Sequence, residues 1–105
     1  MFRRLAHLVR ACGPVTIVPE KSRIAFQVRM SFAAVSVRRS WLVGHLVLAR
    51  RIRHPRFPRV ESLSRRNHVH HFKVASLEDL DTRFVRWLRE AYRVGEQKHL
   101  KRDEP

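Results

Sequence analysis

Hydrophobic and polar positions along this chain of 105 residues follow two different periods, and the switches between them outline a fold. Near the start, Phe2, Leu5, Ala6, Leu8, Val9 and Cys12 recur at close to helical spacing, with Arg3, Arg4, His7 and Arg10 largely between them. This pattern predicts an amphipathic helix, stopped by Gly13-Pro14. Residues 15–18 form a short β-branched run closed by Pro19. From 23 to 30 the alternation is strict, with Ile24, Phe26, Val28 and Met30 on one face and Arg23, Ala25, Gln27 and Arg29 on the other. A period of two over that length predicts a strand. Residues 32–37 continue as a further strand, with Ser31 as the break. Residues 41–49 are apolar on both faces except at His45, the pattern of a central strand or one covered twice. Residues 50–67 read as a long connection, since Pro55 and Pro58 oppose regular ladders. Residues 67–74 return to alternation, placing His68, His70, Phe72 and Val74 on one face and Val69, His71 and Lys73 on the other.

The last element is the best defined. Ser76 is the candidate N-cap, with Asp79 three residues on as a capping-box variant. Glu78, Asp79 and Asp81 sit where a helix dipole favours acids. Leu77, Leu80, Phe84, Trp87, Leu88, Ala91 and Val94 share one face, and Gly95 is a natural stop. The order helix, about five short strands, helix predicts an α+β domain with a mostly antiparallel sheet and both helices on one face. The domain spans residues 1–97, and 98–105 read as a polar tail. The second face of the sheet would carry Arg23, Gln27 and Arg29 beside some of Trp41, Val43, Val47 and Val69, a mixed surface suited to a partner.

Charge changes this picture. Residues 1–77 hold sixteen Lys and Arg against two acids, Glu20 and Glu61, whereas residues 78–105 hold seven of each sign, so the whole net charge of +14 lies in the first part. Nineteen of the 23 basic residues are Arg, which a GC-rich genome would favour over Lys, but codon bias does not explain the scarcity of acids. The asymmetry points to an anionic partner. The single cysteine, Cys12, allows no intramolecular disulfide and sits on the apolar helix face as a small core residue. No apolar stretch approaches the roughly 18 residues of a membrane span. Arg10 and Gly13-Pro14 interrupt any signal-like h-region, so the expectation is a cytoplasmic protein without membrane association.

The run Val15-Thr16-Ile17-Val18-Pro19-Glu20-Lys21-Ser22-Arg23-Ile24-Ala25-Phe26, with Phe32-Ala33-Ala34-Val35 and Asn67-His68-Val69-His70-His71-Phe72, resembles a bacterial family known as domain of unknown function 5655. The resemblance extends from about Gly13 to Leu100. It implies a small α+β domain and brings no reaction, ligand or catalytic residue.

The candidate chemistry is mostly cationic. Arg50, Arg51, Arg53, Arg56, Arg59, Arg65 and Arg66 crowd the connection, and guanidinium groups bind phosphate in a fork. Lys21, Arg38 and Arg39 would assist, and Phe57 is placed to stack on a base. Contacts from some five of these arginines would give a salt slope of about −4 in log affinity. The bland alternative is a solvated loop. His68 and His70 point the same way from their strand, and with Glu61 and Asn67 they outline a possible ligand pocket. For a metal, His45, His54 and Glu61 match only by residue type, without ligand spacing, so no metal site is expected, and histidines bonded at a core rim explain the pair more simply. Ser62 or Ser64 with His68 and Glu61 supplies the residue types of a hydrolase, but no nucleophile elbow is present. Paired carboxylates for Mg²⁺ and a phosphate-cradling glycine loop are absent from the basic part, which argues against nuclease and nucleotide-hydrolysis chemistry.

The expectation is therefore a non-enzymatic module, without cofactor, that binds a polyanion such as nucleic acid, with no basis for sequence-specific readout. Two alternatives stand beside it. One is an interaction domain that meets an acidic protein or its own copy as a homodimer. The other is an enzyme or binder using Glu61, His68 and His70 on an anionic small molecule.

Overall fold

The computed structural model describes residues 1–97. Helix α1 (Phe2–Arg10) precedes strands β1 (Thr16–Pro19), β2 (Ile24–Gln27), β3 (Ser31–Val37), β4 (Leu42–Leu48), β5 (Arg59–Ser64) and β6 (Asn67–Val74). A 3-10 turn at Leu77–Asp79 then leads into helix α2 (Thr82–Gly95). The strands form one antiparallel sheet of six in the order β1-β2-β3-β4-β6-β5. The architecture is the expected α+β one, with one strand more than the periodicity showed.

The extra strand is β5, inside what reads as connection. Its alternation is broken by a register shift between Ser62 and Ser64 in the pairing with β6, so Val60 and Leu63 fall out of step. The true connection is thus shorter. It leaves the end of β4 and crosses the helix side of the sheet, where Phe57 is buried with its ring 4.5 Å from Trp87 and 4.9 Å from His70. Phe57 is a core residue, and the stacking role expected of it is corrected accordingly.

Both helices pack on one face. Leu5 and Val9 of α1 and Phe84, Trp87, Leu88 and Ala91 of α2 share a single core with Phe26, Val35, Leu42, Leu46, Leu48, Phe72 and Val74 of the sheet. Each large side chain removed from water here contributes about 1.5–3 kcal/mol before entropic costs. A second register shift, between Phe26 and Gln27 against β3, moves Phe32 out of strict alternation. Phe32 is fully buried, in edge contact with Tyr92 at 5.6 Å, and it lies where any side chain on Gly95 would strike its ring.

The helix termini differ in detail from the sequence pattern. Ser76 and Asp79 form a capping box, but on the 3-10 turn. The N-cap of α2 is Asp81, whose carboxylate accepts the Phe84 N–H. That bond, first among its causes, holds the Asp81 pKa below the ordinary carboxylate value. Gly95 does not end the helix by turning left-handed. It is buried within the last turn, its carbonyl accepts the Arg29 and Met30 N–H groups, and the positive φ of 62° falls on Gln97. Gly13, with φ of 146°, takes the backbone turn after α1 that an L side chain resists, close beneath the Tyr92 hydroxyl that donates to the Pro14 carbonyl. The residues read as a polar tail, 98–105, lie outside the described residues.

Candidate functional site

The chain order fixes where the charges stand. The β1–β2 and β3–β4 turns lie at the same end of the sheet, because Ile24 pairs with Val35 and Val37 with Leu42. That end carries Lys21, Arg23, Arg38 and Arg39. The β5–β6 turn lies at the opposite end, where Leu48 pairs with His68, and it carries Arg65 and Arg66 with Arg50 and Arg51 close by in the chain. The seven residues of β4 separate the two ends by about 20 Å. The ten cationic residues expected to meet a polyanion are therefore not one cluster. They gather at two ends of the sheet, with Arg53 and Arg56 on the crossover at the helix side and Arg59 at the start of β5.

Several of them are engaged with carboxylates. Arg50 makes a bidentate pair with Glu90 of α2, both contacts at 3.0 Å, and this bond raises its pKa. Arg56 donates to both oxygens of Asp81 at 3.1 and 3.2 Å and to the Asp79 carbonyl, and lies over the rings of Phe84 and Trp87. It staples the crossover to the helix start. Arg59 pairs with Glu61 at 2.9 Å. Arg51 donates to the Ser62 hydroxyl at 2.7 Å. Arg53 is exposed beside a hollow of about 500 Å³ lined by Ile52, His54 and Pro58.

His68 and His70 face the helices. His70 is fully buried; its Nε2 accepts the Ile52 N–H at 2.9 Å and its Nδ1 donates to the His68 carbonyl at 2.9 Å. Burial is the main cause that holds its pKa below 6.5. His68 bonds the Ser62 hydroxyl at 2.8 Å and the Arg65 carbonyl at 3.1 Å. A carbonyl thus occupies the position that a carboxylate holds in a hydrolytic triad. Asn67 donates to the Ser64 hydroxyl at 2.9 Å and braces the β5–β6 turn. Glu61 lies across from Val69 on the other face of the sheet. The sheet therefore stands between Glu61 and the pair His68 and His70, and the pocket outlined from sequence is not brought together.

Glu61 instead joins Arg59, which the sequence assigns to phosphate, and His71, which sequence reasoning did not select. Its Oε1 accepts from His71 Nε2 at 2.9 Å and from Arg59 at 2.9 Å. His71 pairs across strands with His45, their rings 6.1 Å apart. These residues border a cavity of about 390 Å³ on the face that carries no helix among the described residues. Arg23, His45, His71 and Lys73 form its walls, and Ala34 and Gly44 form its floor. Pro58 reaches it from beyond β6 while Arg23 reaches it from the β2 side, so the face is concave. Gly44 itself alternates with Leu42 and Leu46, so a Cβ there would point to the helix side, 2.9 Å from Val35 Cγ1 and 2.2 Å from the Ala34 carbonyl oxygen. Lys73 sits over the half-exposed Trp41 ring at 4.8 Å. Arg23 gives its Nε to Glu20 at 2.6 Å, leaving its terminal nitrogens. The signal that pointed here was His45, the one polar break in an otherwise apolar strand. What the sequence lacked was the register that sets it opposite His71.

Among the described residues no group of three His, Cys, Asp or Glu side chains is placed to hold a metal ion. Cys12 is half-buried, its thiol directed to the Leu8 carbonyl, and burial raises its pKa, the opposite of an activated thiolate. No helix of the described residues is long and apolar enough to cross a membrane.

In comparison with known proteins, one family model, Domain of unknown function (DUF5655), matches residues 1–95. No curated protein and no solved structure matches the chain.

Proposed function

Since the chain belongs to the family described as Domain of unknown function (DUF5655), a description that carries no activity, we propose from geometry that it is a non-enzymatic binding module for a single nucleic-acid strand laid across the helix-free sheet face. The observation that carries this reading is how the carboxylates are spent. Glu20, Glu61, Asp81 and Glu90 each neutralise a nearby arginine. Of the exposed cations with no carboxylate partner among the described residues, Arg3, Arg4, Arg10, Arg86 and Arg89 lie on the helices, and Lys21, Arg38, Arg39, Arg65 and Lys73 belong to the sheet and its turns. The sheet cations stand at the two ends of the strands, and the concave face runs between them with Trp41 at its rim.

An extended strand suits this face better than a duplex. The concave face is lined by side chains of neighbouring strands, which suits an extended chain of nucleotides. The span of about 20 Å between the ends corresponds to a short site near the low end of single-strand site sizes, about four nucleotides. Exposed Trp41, braced by Lys73, offers a ring for one base. Phosphate contacts carry no sequence information, so binding is indifferent to base order.

The test is a fluorescence titration of a labelled oligonucleotide at several salt concentrations. With about four phosphate contacts on a single strand, log affinity falls against log salt with a slope of about −3. Absence of binding at low salt, or binding that ignores salt, would overturn the reading.

A further inference from the structure

The concavity on the helix-free face contains a polar group that the fold does not use. Among the described residues, neither ring nitrogen of His45 makes a hydrogen bond, although the residue is half-buried and its side chain lines the cavity. Every other histidine in the sheet is bonded: His68 to Ser62 and Arg65, His70 to Ile52 and His68, and His71 to Glu61. A polar ring removed from most of the solvent without a partner has a cost that a ligand would repay.

The groups around His45 define the ligand's charge. Arg23 from the β1–β2 turn and Lys73 from β6 are permanent cations on the cavity wall. His71, also from β6, is anchored by Glu61 of β5, whose Oε1 it shares with Arg59. No carboxylate lines the cavity. Burial, followed by the positive charge of Arg23 and of His71, keeps His45 below its ordinary 6.5, with Glu61 and Glu20 opposing weakly. The neutral ring thus carries one donor and one acceptor towards the cavity, and a bound anion would draw a proton onto it.

We propose that this cavity is a binding site for a single phosphate monoester group, held by Arg23, Lys73 and His45. The chemistry fits a tetrahedral dianion: a guanidinium edge for two oxygens, an ammonium for charge and an imidazole donor for the third. The small side chain of Ala34, directly across from His45, leaves room for the group to sit on the sheet itself. The proposal deepens the strand-binding reading in one form, where the phosphate is the terminal group of an oligonucleotide, and stands apart from it in another, where it belongs to a small phosphomonoester.

The experiment uses the full chain, isotopically labelled, and follows its histidine rings by NMR near neutral pH while inorganic phosphate is added at constant ionic strength. The expected result is a saturable shift of the His45 ring, a rise in its pKa, and little change at exposed His7. His45→Gln and Lys73→Gln each weaken phosphate binding about tenfold, since each removes a hydrogen bond to a charged group. Lys73 is exposed, so that variant keeps the fold even where His45→Gln does not. A linear response, or one no larger at His45 than at His7, would overturn the proposal. Two further arms separate the sources. An oligonucleotide with a 5′-phosphate that binds several-fold tighter than its 5′-hydroxyl twin, the gain vanishing in Lys73→Gln, assigns the site to nucleic-acid ends. Glycerol phosphate saturating His45 while the two oligonucleotides bind alike assigns it to small phosphomonoesters. If neither oligonucleotide binds but phosphate still saturates His45, the strand-binding reading fails and the phosphate site stands. If oligonucleotides bind with the expected salt slope and His45 is silent, the reverse holds.

Discussion

The two faces of the sheet are built from the same strands and obey different rules. In β4, Leu42, Leu46 and Leu48 are buried beneath the helices, while Val43 and His45 between them are half-exposed on the concave side. In β6, His70 is sealed between bonds to Ile52 and His68, while His71, one residue on, reaches Glu61 at the rim of the cavity. On the covered face both histidines, His68 and His70, have protein partners at both ring nitrogens. On the concave face, Glu61 serves Arg59 and His71 at one rim, Lys73 has no carboxylate partner among the described residues, and one imidazole, His45, has no hydrogen-bond partner. The difference teaches that polar residues on a sheet are read by face: neighbouring histidines of one sequence run, His70 and His71, belong to a core and to a surface.

Substitutions in neighbouring positions of β4 give the largest test of this contrast. Leu46→Ala should cost about 3 kcal/mol in urea unfolding, because it empties a fully buried site. Val43→Ala, on the concave side, should cost under about 1 kcal/mol. Equal costs would mean that the second face is packed as tightly as the first.

The buried histidine comes next. His70→Leu keeps roughly the same volume but strands the Ile52 N–H and the His68 carbonyl, so it should lose about 2 kcal/mol by the same measurement. A neutral outcome would show that those backbone groups find other partners.

The pH dependence follows from the sign of the histidine shifts. His70 and His45 both hold folded-state pKa values below 6.5. As pH falls through about 6.5, the unfolded chain takes up protons that the folded chain refuses, so ΔG of unfolding declines. It is intact above that pH and levels off below the folded values. Urea midpoints measured from about pH 8 down to pH 5 should show this decline, and His70→Leu should flatten part of it. Phosphate should oppose the share due to His45 alone.

Glu90→Gln is expected to have the smallest effect, at most about 0.5 kcal/mol, because its bidentate pair with Arg50 is solvent-exposed. A larger loss would show that the pair ties the crossover to α2 more firmly than its exposure implies.

Much of the fold was legible because long runs kept one period. The strict alternation at 67–74 and the apolar stripe from Phe84 to Val94 both appear in place, as β6 and α2. β5 was hidden because its bulge breaks the period of two and because Pro55 and Pro58 precede it closely. Helix α2 does stop at Gly95, but there the glycine serves close packing instead of a left-handed turn, with Phe32 taking the space. The basic excess was plain from composition, but its division between two ends of the sheet depends on which turns share an end. Similarly, Glu61 was grouped with His68 and His70 by residue type, whereas the pairing of β5 with β6 turns it to the opposite face.

The most direct measurement is a backbone NMR titration of the full chain with a short single-stranded oligonucleotide, mapped residue by residue. The expected result is perturbation of the β1–β2 and β3–β4 turns, Trp41, His45, His71, Lys73 and the β5–β6 turn at Arg65, with the exposed arginines of α1 and α2 unmoved. Perturbation centred on Arg3, Arg4, Arg86 and Arg89 on the helices, or no perturbation at all, would contradict the assignment of binding to the concave face.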